Sequence, residues 1–458
     1  MLVAVVMTVA ASSCGSSSRH TPSPAGARLA LHPCVGLAAR CGTFVVPENR
    51  GKPNGRRIAL RVIVLPAAAK PVARDAVTFI AGGPGHAVSE QVYALSTELL
   101  GLNEHRDILL IDQRGTGSGA HYCPNRTKPF SSTAELHNFV EGCLHAFGGD
   151  ASQYGTRAAM DDLDAVRVAL GYRQLDVIGE SYGATAAQVY ARLHPASVRT
   201  LMLAAATALD VPLFSHYAVN AQRALDQLAQ LCDSDSACRK AFPNWERQFG
   251  ELVKAWSAHP VKTGTGGPMT GEQLAGVIHA MLLDTQNAVS IPLVISRAAK
   301  GDYAPLNQHP GDVFRQPLMG WSIVCSEPWV GLDAKPPWGT EFDGYTATFI
   351  AQFRQGCKFF PKRSEPRTLW TFSTPSQVPV LVFEGGADPQ DPASNLSGLA
   401  QQFPDSRVVI LPHLGHEFSI GGCVDQIMAD FVDRGTTKGL DATRCAGQIP
   451  IPPFPLTG

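Results

Sequence analysis

The segment VIGESYGATAA, residues 177–187, constrains the fold more than any other part of the chain. It places Ser181 between Gly179 and Gly183, after a strand-like run and before small helix-forming residues. In this context G-x-S-x-G predicts a strand-to-helix turn too tight for side chains at either glycine. Such a turn projects the hydroxyl above a sheet and directs the N–H of Tyr182 toward a developing oxyanion. We interpret Ser181 as a candidate nucleophile, the alternative being a simple turn.

Short apolar runs elsewhere in the chain predict the strands of one sheet. They are rich in Val, Ile and Leu, and they cover residues 57–65, 76–82, 107–112, 175–180, 198–205, 379–385 and 407–412. Continuous apolar runs of this length are typical of parallel strands covered on both faces. Helical patterns at 156–172 and 182–193 alternate with them. The sequence therefore predicts an α/β fold with a mostly parallel, doubly wound sheet.

The strand pattern stops near residue 206 and resumes near residue 379. The interval contains amphipathic helical patterns at 215–232 and 271–283, followed by an aromatic- and proline-rich region. We therefore expect a mainly helical cap that interrupts the sheet domain. The predicted division is a core at 31–210 and 376–458, with the cap at 211–375.

The N-terminus predicts export. Residues 2–11 form an apolar run as long as a signal-peptide core and too short to span a bilayer. Cys14 follows, and then a Ser/Pro/Gly stretch that reads as a flexible tether. We predict a signal peptide at 1–13, a tether at 14–30 and lipidation of Cys14, which would anchor the protein to a membrane. An ordinary secretory signal cut near residues 11–13 is the alternative, so the protein is expected to be an envelope lipoprotein or secreted.

The cysteines also indicate an oxidising compartment. The chain has 11 of them, and those other than Cys14 fall in close couples. These couples are Cys34/Cys41, Cys123/Cys143, Cys232/Cys238, Cys325/Cys357 and Cys423/Cys445. We expect disulfides, although spacing alone leaves the pairing open. Metal binding and free buried thiols are the alternatives, and no CxxC spacing supports a metal site.

The charge distribution gives no support for a nucleic-acid partner. The formal net charge is -1, and no basic run interleaved with aromatic residues occurs. No metal or organic cofactor is implied, and the oligomeric state stays open.

A serine nucleophile needs a base, and the base needs an orienting acid. Asp388 follows one predicted strand and His416 follows the next, which gives the order serine, acid, histidine. Asp391 and His413 are the competing candidates. Gly415 before His416 favours a tight, exposed loop for the base.

An oxyanion hole needs a second N–H, expected from the loop after another strand. The motif GGPG, residues 82–85, follows such a strand, and its glycines let the backbone approach a substrate carbonyl closely. Gly83 N–H is the candidate donor beside Tyr182 N–H, and an ordinary Gly/Pro turn is the alternative.

Five motifs together carry a family resemblance: GGPG (82–85), DQRGTGSG (112–119), GESYG (179–183), GGADPQDP (385–392) and GHEF (415–418). With them, the chain resembles the proline iminopeptidase and tripeptidyl aminopeptidase group of α/β-hydrolases, the TAP-like serine peptidases, from about Cys34 to Cys445. The resemblance implies an α/β-hydrolase fold and an aminopeptidase that releases short N-terminal pieces of peptides.

The resemblance also implies roles for individual residues. Ser181 would be the nucleophile, Asp388 the orienting acid and His416 the base, while residues 112–114 would brace the oxyanion loop. The chain departs from the family at Ala81, where histidine is usual before the two glycines. Some family members cleave esters, so a carboxylic ester hydrolase acting through the same triad is the alternative function.

An aminopeptidase must bind a substrate ammonium group, which calls for a carboxylate in the cap. Glu327 in CSEPW is the candidate, and a solvated loop acid is the alternative. The acids of the 156–172 helix, Asp161, Asp162 and Asp164, are expected to form a solvated face.

Overall fold

A nine-stranded β-sheet forms the centre of the computed structural model, which describes residues 29–117, 123, 130, 132–264, 267–308, 318–371, 374–417, 422–445 and 448–457. Its strands are β1 His32–Pro33, β2 Arg40–Pro47, β3 Arg57–Leu65, β4 Ala76–Ile80, β5 Asp107–Ile111, β6 Leu175–Glu180, β7 Val198–Ala204, β10 Val380–Gly385 and β11 Ser406–Leu411. A separate ribbon pairs β8 Val261–Lys262 with β9 Pro268–Met269. The predicted signal peptide and Cys14 lie outside the described residues.

The sheet is antiparallel at one edge and parallel elsewhere, in the order β1-β2-β3-β5-β4-β6-β7-β10-β11. The pairings from β1 to β5 are antiparallel, and those from β5 across to β11 are parallel. Parallel pairing brings the carboxyl ends of the strands to one edge. Ile80 lies opposite Gly179, which sets the loop after β4 beside the turn after β6. The predicted fold class is confirmed.

The described α-helices are α1 Val92–Glu98, α2 Thr133–Phe147, α3 Thr156–Leu170, α4 Tyr182–Leu193, α5 Tyr217–Ser234, α6 Ser236–Ala241, α7 Trp245–Ala258, α8 Gly271–Leu283, α9 Thr285–Ala288, α10 Ile291–Ala298, α11 Leu318–Ser326, α12 Asp343–Gly356, α13 Leu399–Gln402 and α14 Cys423–Arg434. They cover both faces of the sheet. Val177 and Ile178, neighbours in β6, belong to two different core clusters, as the alternation of side chains along a strand requires. One cluster includes residues of α3 and α4, and the other includes residues of α1 and α14.

Helices α5 to α12 lie between β7 and β10 in the chain. Several of them enclose a third buried cluster, which contains Phe249, Ile278 and Phe342. Trp321 of α11 and Phe353 of α12 instead join a core cluster of the sheet. No described residue of this interval pairs with the nine-stranded sheet. The interval is thus helical and packed on the core, while its predicted boundaries at 211 and 375 stay a prediction.

Disulfide bonds join the ten cysteines in the couples named above: Cys34–Cys41, Cys123–Cys143, Cys232–Cys238, Cys325–Cys357 and Cys423–Cys445. The fourth pair links α11 to the end of α12, so it cross-links two helices of the interval. Within the described part of the chain, no cluster of His, Cys, Asp and Glu is arranged to hold a metal ion. In the same part, no helix combines the length and apolarity needed to cross a bilayer.

Candidate active site

The turn between β6 and α4 holds Ser181 in a strained backbone conformation. Its φ of 56° and ψ of -126° lie in a region that non-glycine residues rarely adopt. The flanking glycines have no room for side chains. A Cβ at Gly183 would lie 2.0 Å from the carbonyl oxygen of Ile80, and one at Gly179 would lie 2.2 Å from that of Gly183. The backbone of the turn therefore packs directly against β4 and the start of α4. Ser181 lies at the carboxyl edge of the sheet.

We expect Gly183→Ala to abolish soluble, active protein. The added Cβ would overlap the backbone of β4, which cannot retreat without breaking its ladder with β6. Gly142→Ala is the matched control, because a Cβ there meets nothing within 4 Å and the residue lies inside α2. The control should leave stability unchanged or raise it by about 0.5–1 kcal/mol. Soluble yield and urea denaturation of both variants check this, and a folded, active Gly183→Ala protein would contradict it.

A chain of hydrogen bonds joins the residues expected to form the catalytic set. His416 Nε2 lies 3.0 Å from Ser181 Oγ, and His416 Nδ1 lies 2.9 Å from Asp388 Oδ2. The other oxygen of Asp388 accepts the backbone N–H groups of Gln390 and Asp391, at 2.7 and 2.8 Å. Asp388 is fully buried, and His416 is 8% exposed. The arrangement has the parts needed to remove a hydroxyl proton while the oxygen attacks a carbonyl.

Helix α5 of the cap holds the loop that carries Asp388. Asn220 Nδ2 donates to the carbonyl oxygen of Gln390 at 3.0 Å, and Tyr217 Oη donates to Gln390 Oε1 at 3.0 Å. Arg223 Nη2 donates to the carbonyl oxygen of Asp388 at 2.9 Å. The cap and the acid loop therefore form one hydrogen-bonded unit.

The end of α8 and the start of α9 hold the histidine loop in the same way. Glu417 N–H donates to the carbonyl oxygen of Leu283 at 2.9 Å, and Gly415 N–H donates to Thr285 Oγ1 at 3.1 Å. A Cβ at Gly415 would lie 2.4 Å from the Leu283 oxygen, so glycine permits this approach. Thr285 Oγ1 in turn donates to the backbone oxygen of His413. The loop is thus fixed with His416, and not His413, hydrogen-bonded to Ser181.

The neighbouring carboxylates set the charge state of the imidazole. Burial alone disfavours the imidazolium ion, but the negative charges of Asp388, Asp391 and Glu180 outweigh it and raise the pKa of His416 to about 9. Burial also opposes ionisation of Asp388, yet His416 and the two backbone donors hold the pKa of this carboxyl below its ordinary value. The carboxylates therefore favour the protonated ring, which becomes available as a base as the pH rises.

The loop after β4 lies against the nucleophile. A Cβ at Gly82 would come within 3.0 Å of Ser181 Cβ and 3.6 Å of Ser181 Oγ. The next residue, Gly83, has a φ of 113°, which favours glycine. Among the described residues, no acceptor takes the amide N–H of Gly83 or of Tyr182. Both remain available as the predicted oxyanion donors, and their role stays a prediction.

Two of the residues at 112–114 hold this loop and the segment after it, as the family resemblance implies, whereas Arg114 bonds elsewhere. Gln113 Nε2 donates to the carbonyl oxygen of Ala81 at 3.3 Å. Asp112 accepts the backbone N–H and the hydroxyl of Ser89, at 2.9 and 2.7 Å, and so ties down the segment beyond the loop. Arg114 is fully buried and pairs through two nitrogens with Asp162, at 2.8 and 2.9 Å. Asp162 is therefore not part of a solvated acidic face.

The contacts of Glu327 do not favour its predicted role as the carboxylate for a substrate ammonium group. The side chain is 4% exposed, and its oxygens accept the N–H and hydroxyl of Thr156 and the indole N–H of Trp329, at 2.7, 2.8 and 2.8 Å. Burial, opposed by these donors, raises the pKa of Glu327 to about 7. The carboxylate joins the segment after α11 to the start of α3, which is a structural task.

Sequence reasoning did not assign roles to two side chains next to the triad. Gln390 Nε2 lies 3.5 Å from His416 Nε2 and 3.1 Å from Asp391 Oδ2. Glu180 precedes the nucleophile, and burial and its acidic neighbours raise the pKa of its carboxyl, although His416 opposes this. Glu180 directly precedes Ser181 in G-x-S-x-G, so its place beside the nucleophile could have been read from the motif, although the motif does not specify a glutamate there. Nothing in the sequence pattern marks Gln390.

The chain belongs to the α/β-hydrolase family. A family model described as alpha/beta hydrolase fold matches residues 75–422. Together with the relatives named below, it identifies the protein as a hydrolase and confirms the resemblance drawn from the motifs.

Three curated relatives indicate where in this family the similarity lies. The putative hydrolase YuaR of Escherichia coli K12 is 24% identical over 57% of this chain and 56% of its own. Serine protease Hip1 of Mycobacterium tuberculosis H37Rv is 30% identical over 36% of this chain and 35% of its own. The tripeptidyl aminopeptidase of Streptomyces lividans is 26% identical over 36% and 34%. The matched segments thus span between about a third and just over half of these relatives.

Among solved structures, proline iminopeptidase of Mycobacterium smegmatis is similar in fold. It is 15% identical, with a TM-score of 0.42, and the match covers 86% of this chain and 98% of that one.

Proposed function

We propose that the protein is an exported serine hydrolase, an aminopeptidase that releases short N-terminal peptides through an acyl-enzyme on Ser181. The observation that carries the proposal is the unbroken hydrogen-bonded chain from Asp388 through His416 to Ser181. It ends at Ser181 in a strained strand-to-helix turn, where the hydroxyl lies at the edge of the sheet.

In the proposed reaction, Ser181 Oγ attacks the scissile carbonyl carbon while His416 Nε2 takes the hydroxyl proton. Asp388 holds the ring and stabilises the imidazolium that forms. The N–H groups of Gly83 and Tyr182 stabilise the negative oxygen of the tetrahedral intermediate. His416 then gives its proton to the leaving amine as the C–N bond breaks. Water attacks the ester in the same way, with His416 again as base, and restores the serine.

Peptide cleavage is favoured over ester cleavage by two lines of support. Two of the curated relatives are named as a serine protease and a tripeptidyl aminopeptidase. The helical interval is tied to both catalytic loops through α5, the end of α8 and the start of α9, so any substrate must be accommodated beneath or beside it. A helical interval that lies over the catalytic loops favours a substrate that enters by one end, as the N-terminus of a peptide does.

Export is supported by the five disulfides, which persist in oxidising compartments. Attachment to a membrane through a lipid on Cys14 is part of the proposal. Metabolic labelling with a radioactive fatty acid tests it, with Cys14→Ser as the matched variant. Label on the unchanged chain and none on the variant supports an envelope lipoprotein, whereas unlabelled protein in the medium supports simple secretion.

A substrate panel tests the proposed activity. Purified protein is offered aminoacyl-, dipeptidyl- and tripeptidyl-amides with free amino ends, the same compounds N-acetylated, and p-nitrophenyl esters of short and long fatty acids. We expect the free-ended peptides to be cleaved at least about tenfold faster than the blocked ones, because acetylation removes the charged amino group by which an aminopeptidase recognises its substrate; a tenfold difference corresponds to about 1.4 kcal/mol. Equal rates on blocked and free peptides would contradict the exopeptidase function. A strong preference for long-chain esters would assign the protein to the ester hydrolases.

A further inference from the structure

Two carboxylates of one loop approach the same nitrogen of the catalytic histidine. Asp388 Oδ2 lies 2.9 Å from His416 Nδ1, and Asp391 Oδ2 lies 3.8 Å from it. Both acids are almost completely buried, at 0% and 4% exposure. A serine triad needs a single orienting acid. The second carboxylate therefore requires its own account.

Asp391 is held in this position by contacts on both of its oxygens. Its Oδ1 accepts the hydroxyl of Thr207, and its Oδ2 accepts Gln390 Nε2 at 3.1 Å. Thr207 Oγ1 is in turn held by Asn395 Nδ2 at 3.0 Å. The carboxylate is thus fixed beside the ring by residues from the end of β7 and from its own loop.

A third carboxylate lies beneath the pair. Glu384, in β10, is fully buried, and its Oε1 accepts the N–H of Ala206 at 2.9 Å. Its Oε2 has no partner among the described residues. Burial and the charges of Asp388 and Asp391 raise the pKa of Glu384 well above its ordinary value. Burial therefore disfavours the charged form of Glu384, and the two carboxylates that lie within 3.8 Å of the ring nitrogen are those of Asp388 and Asp391.

Other charged groups face the same site from neighbouring elements. Glu180 on β6 acts on the ring from the side of the nucleophile. Arg223 of α5 binds the carbonyl oxygens of the acid loop and not the carboxylates themselves. Both are present in every variant discussed below, so they do not distinguish Asp388 from Asp391.

We propose that Asp391 is a second positioning acid for His416. Its carboxylate adds to the proton affinity of the ring and offers an alternative acceptor for the Nδ1–H when Asp388 is lost. The proposal rests on the proposed function in one respect, namely that His416 acts as the base. Burial and the nearby charge of Asp388 raise the pKa of Asp391 to about 6, although the charge of His416 opposes this.

The first test is the pH dependence of acylation in Asp391→Asn. Removing a negative charge beside the ring makes the imidazolium less stable and lowers the pKa of His416. Acylation needs the neutral ring, so the midpoint of the acid limb should move to lower pH by about 1 unit or more. The readouts are the acylation rate with p-nitrophenyl acetate and the labelling rate with a fluorophosphonate, neither of which needs a peptide.

The matched control is Asp433→Asn, an acid whose side chain is 75% exposed and pairs with Arg106. Its midpoint should equal that of the unchanged protein. If Asp391→Asn does not fold, Asp391→Ser serves as a second neutral variant with a smaller side chain. A folded neutral variant with an unchanged midpoint would overturn the proposal, because a merely structural residue would alter stability and not the titration.

The second test compares Asp388→Asn with Asp388→Asn/Asp391→Asn. If Asp391 can hold the Nδ1–H, the single variant should retain at least about tenfold more acylation than the double variant. In a serine protease triad with one orienting acid, replacing that acid lowers kcat by a factor on the order of 10⁴. A tenfold difference between the single and double variants is therefore measurable within this range. Equal rates in the two variants would count against a second acid.

A titration of the low-field Nδ1–H resonance by proton NMR reports the pKa of His416 without any reaction. It decides the role of Asp391 even if the proposed function fails. No fluorophosphonate labelling in the unchanged protein would contradict the proposed function. A shifted NMR titration in Asp391→Asn would still support the second acid, and an unshifted one would reject it.

Discussion

Ser181→Ala is expected to reduce kcat/KM on every cleaved substrate by a factor on the order of 10⁶, which is the scale of loss when a serine protease loses its nucleophile. The reason is chemical, because the acyl-enzyme has no oxygen on which to form. His416 would remain in place, since Asp388 still holds its Nδ1. The measurements are kcat/KM and covalent labelling by a fluorophosphonate, followed by mass spectrometry.

The fold should survive this substitution. Ser181 Oγ has one described partner, His416 Nε2, so no other contact is lost. Alanine meets the same positive φ as serine, so the strain of the turn is unchanged. Ser234→Ala, whose hydroxyl donates only to the exposed carbonyl of Leu231, is the matched control and should keep full activity. A Ser181→Ala protein with activity within about tenfold of the original would show that the nucleophile lies elsewhere.

The strands that were predictable are those with a continuous apolar run, namely the parallel strands and the antiparallel β3. The run at 57–65 became β3 and the run at 175–180 became β6 with unchanged bounds, and the other runs shifted by a residue or two. The strands missed were β1, β2, β8 and β9, and the longest of them is β2 Arg40–Pro47, at the antiparallel edge. Several of its side chains are exposed, so it lacks a continuous apolar run and its pattern resembles a loop. Sequence therefore identified the strands with continuous apolar runs and missed the antiparallel edge formed by β1 and β2.

The triad candidates could be placed because their order and their positions after strands follow from the fold. The choice between Asp388 and Asp391 could not be made from the sequence in the same way. Both lie in one short loop, and only coordinates show that both approach Nδ1 of His416. The sequence left a choice between the two acids, whereas in the structure both carboxylates lie close to the same ring nitrogen.

Side chains whose partners are distant in sequence were the least predictable. Glu327 was expected to face a substrate, but its main partner, Thr156, lies 171 residues away and leaves no local signal. Asp162 was expected in solvent because acids cluster in its helix. It lies one turn from the buried residues Ala159 and Val166, so the helical period alone could have placed it inside. A buried carboxylate needs a positively charged partner, and Asp162 pairs with Arg114.

Arg114→Met is therefore expected to reduce the free energy of unfolding by about 3–5 kcal/mol, the cost of leaving one partner of a buried ion pair behind. The guanidinium is 1% exposed, with two bonds to Asp162 and one each to the carbonyl oxygens of Glu48 and Gln153. Methionine fills much of the space but replaces none of these donors. Asp162 would retain only Arg50, and two buried carbonyl groups would lose a donor.

Urea denaturation of three variants beside the unchanged protein isolates the effect. Arg247→Met is the matched control, because Arg247 and its partner Glu251 are 65% and 61% exposed and such a pair contributes about 0.5 kcal/mol or less. Arg114→Met/Asp162→Asn should recover part of the loss, since the buried carboxylate, which is left with only the partly exposed Arg50 as its cation, is then replaced by a neutral group. Equal unfolding free energies for Arg114→Met and Arg247→Met would refute the argument. A double variant no more stable than Arg114→Met would place the cost in the carbonyl contacts and not in the stranded carboxylate. Gln113, the neighbour of Arg114, holds the loop beside Ser181. A folded Arg114→Met protein should therefore also lose activity, because that loop is displaced.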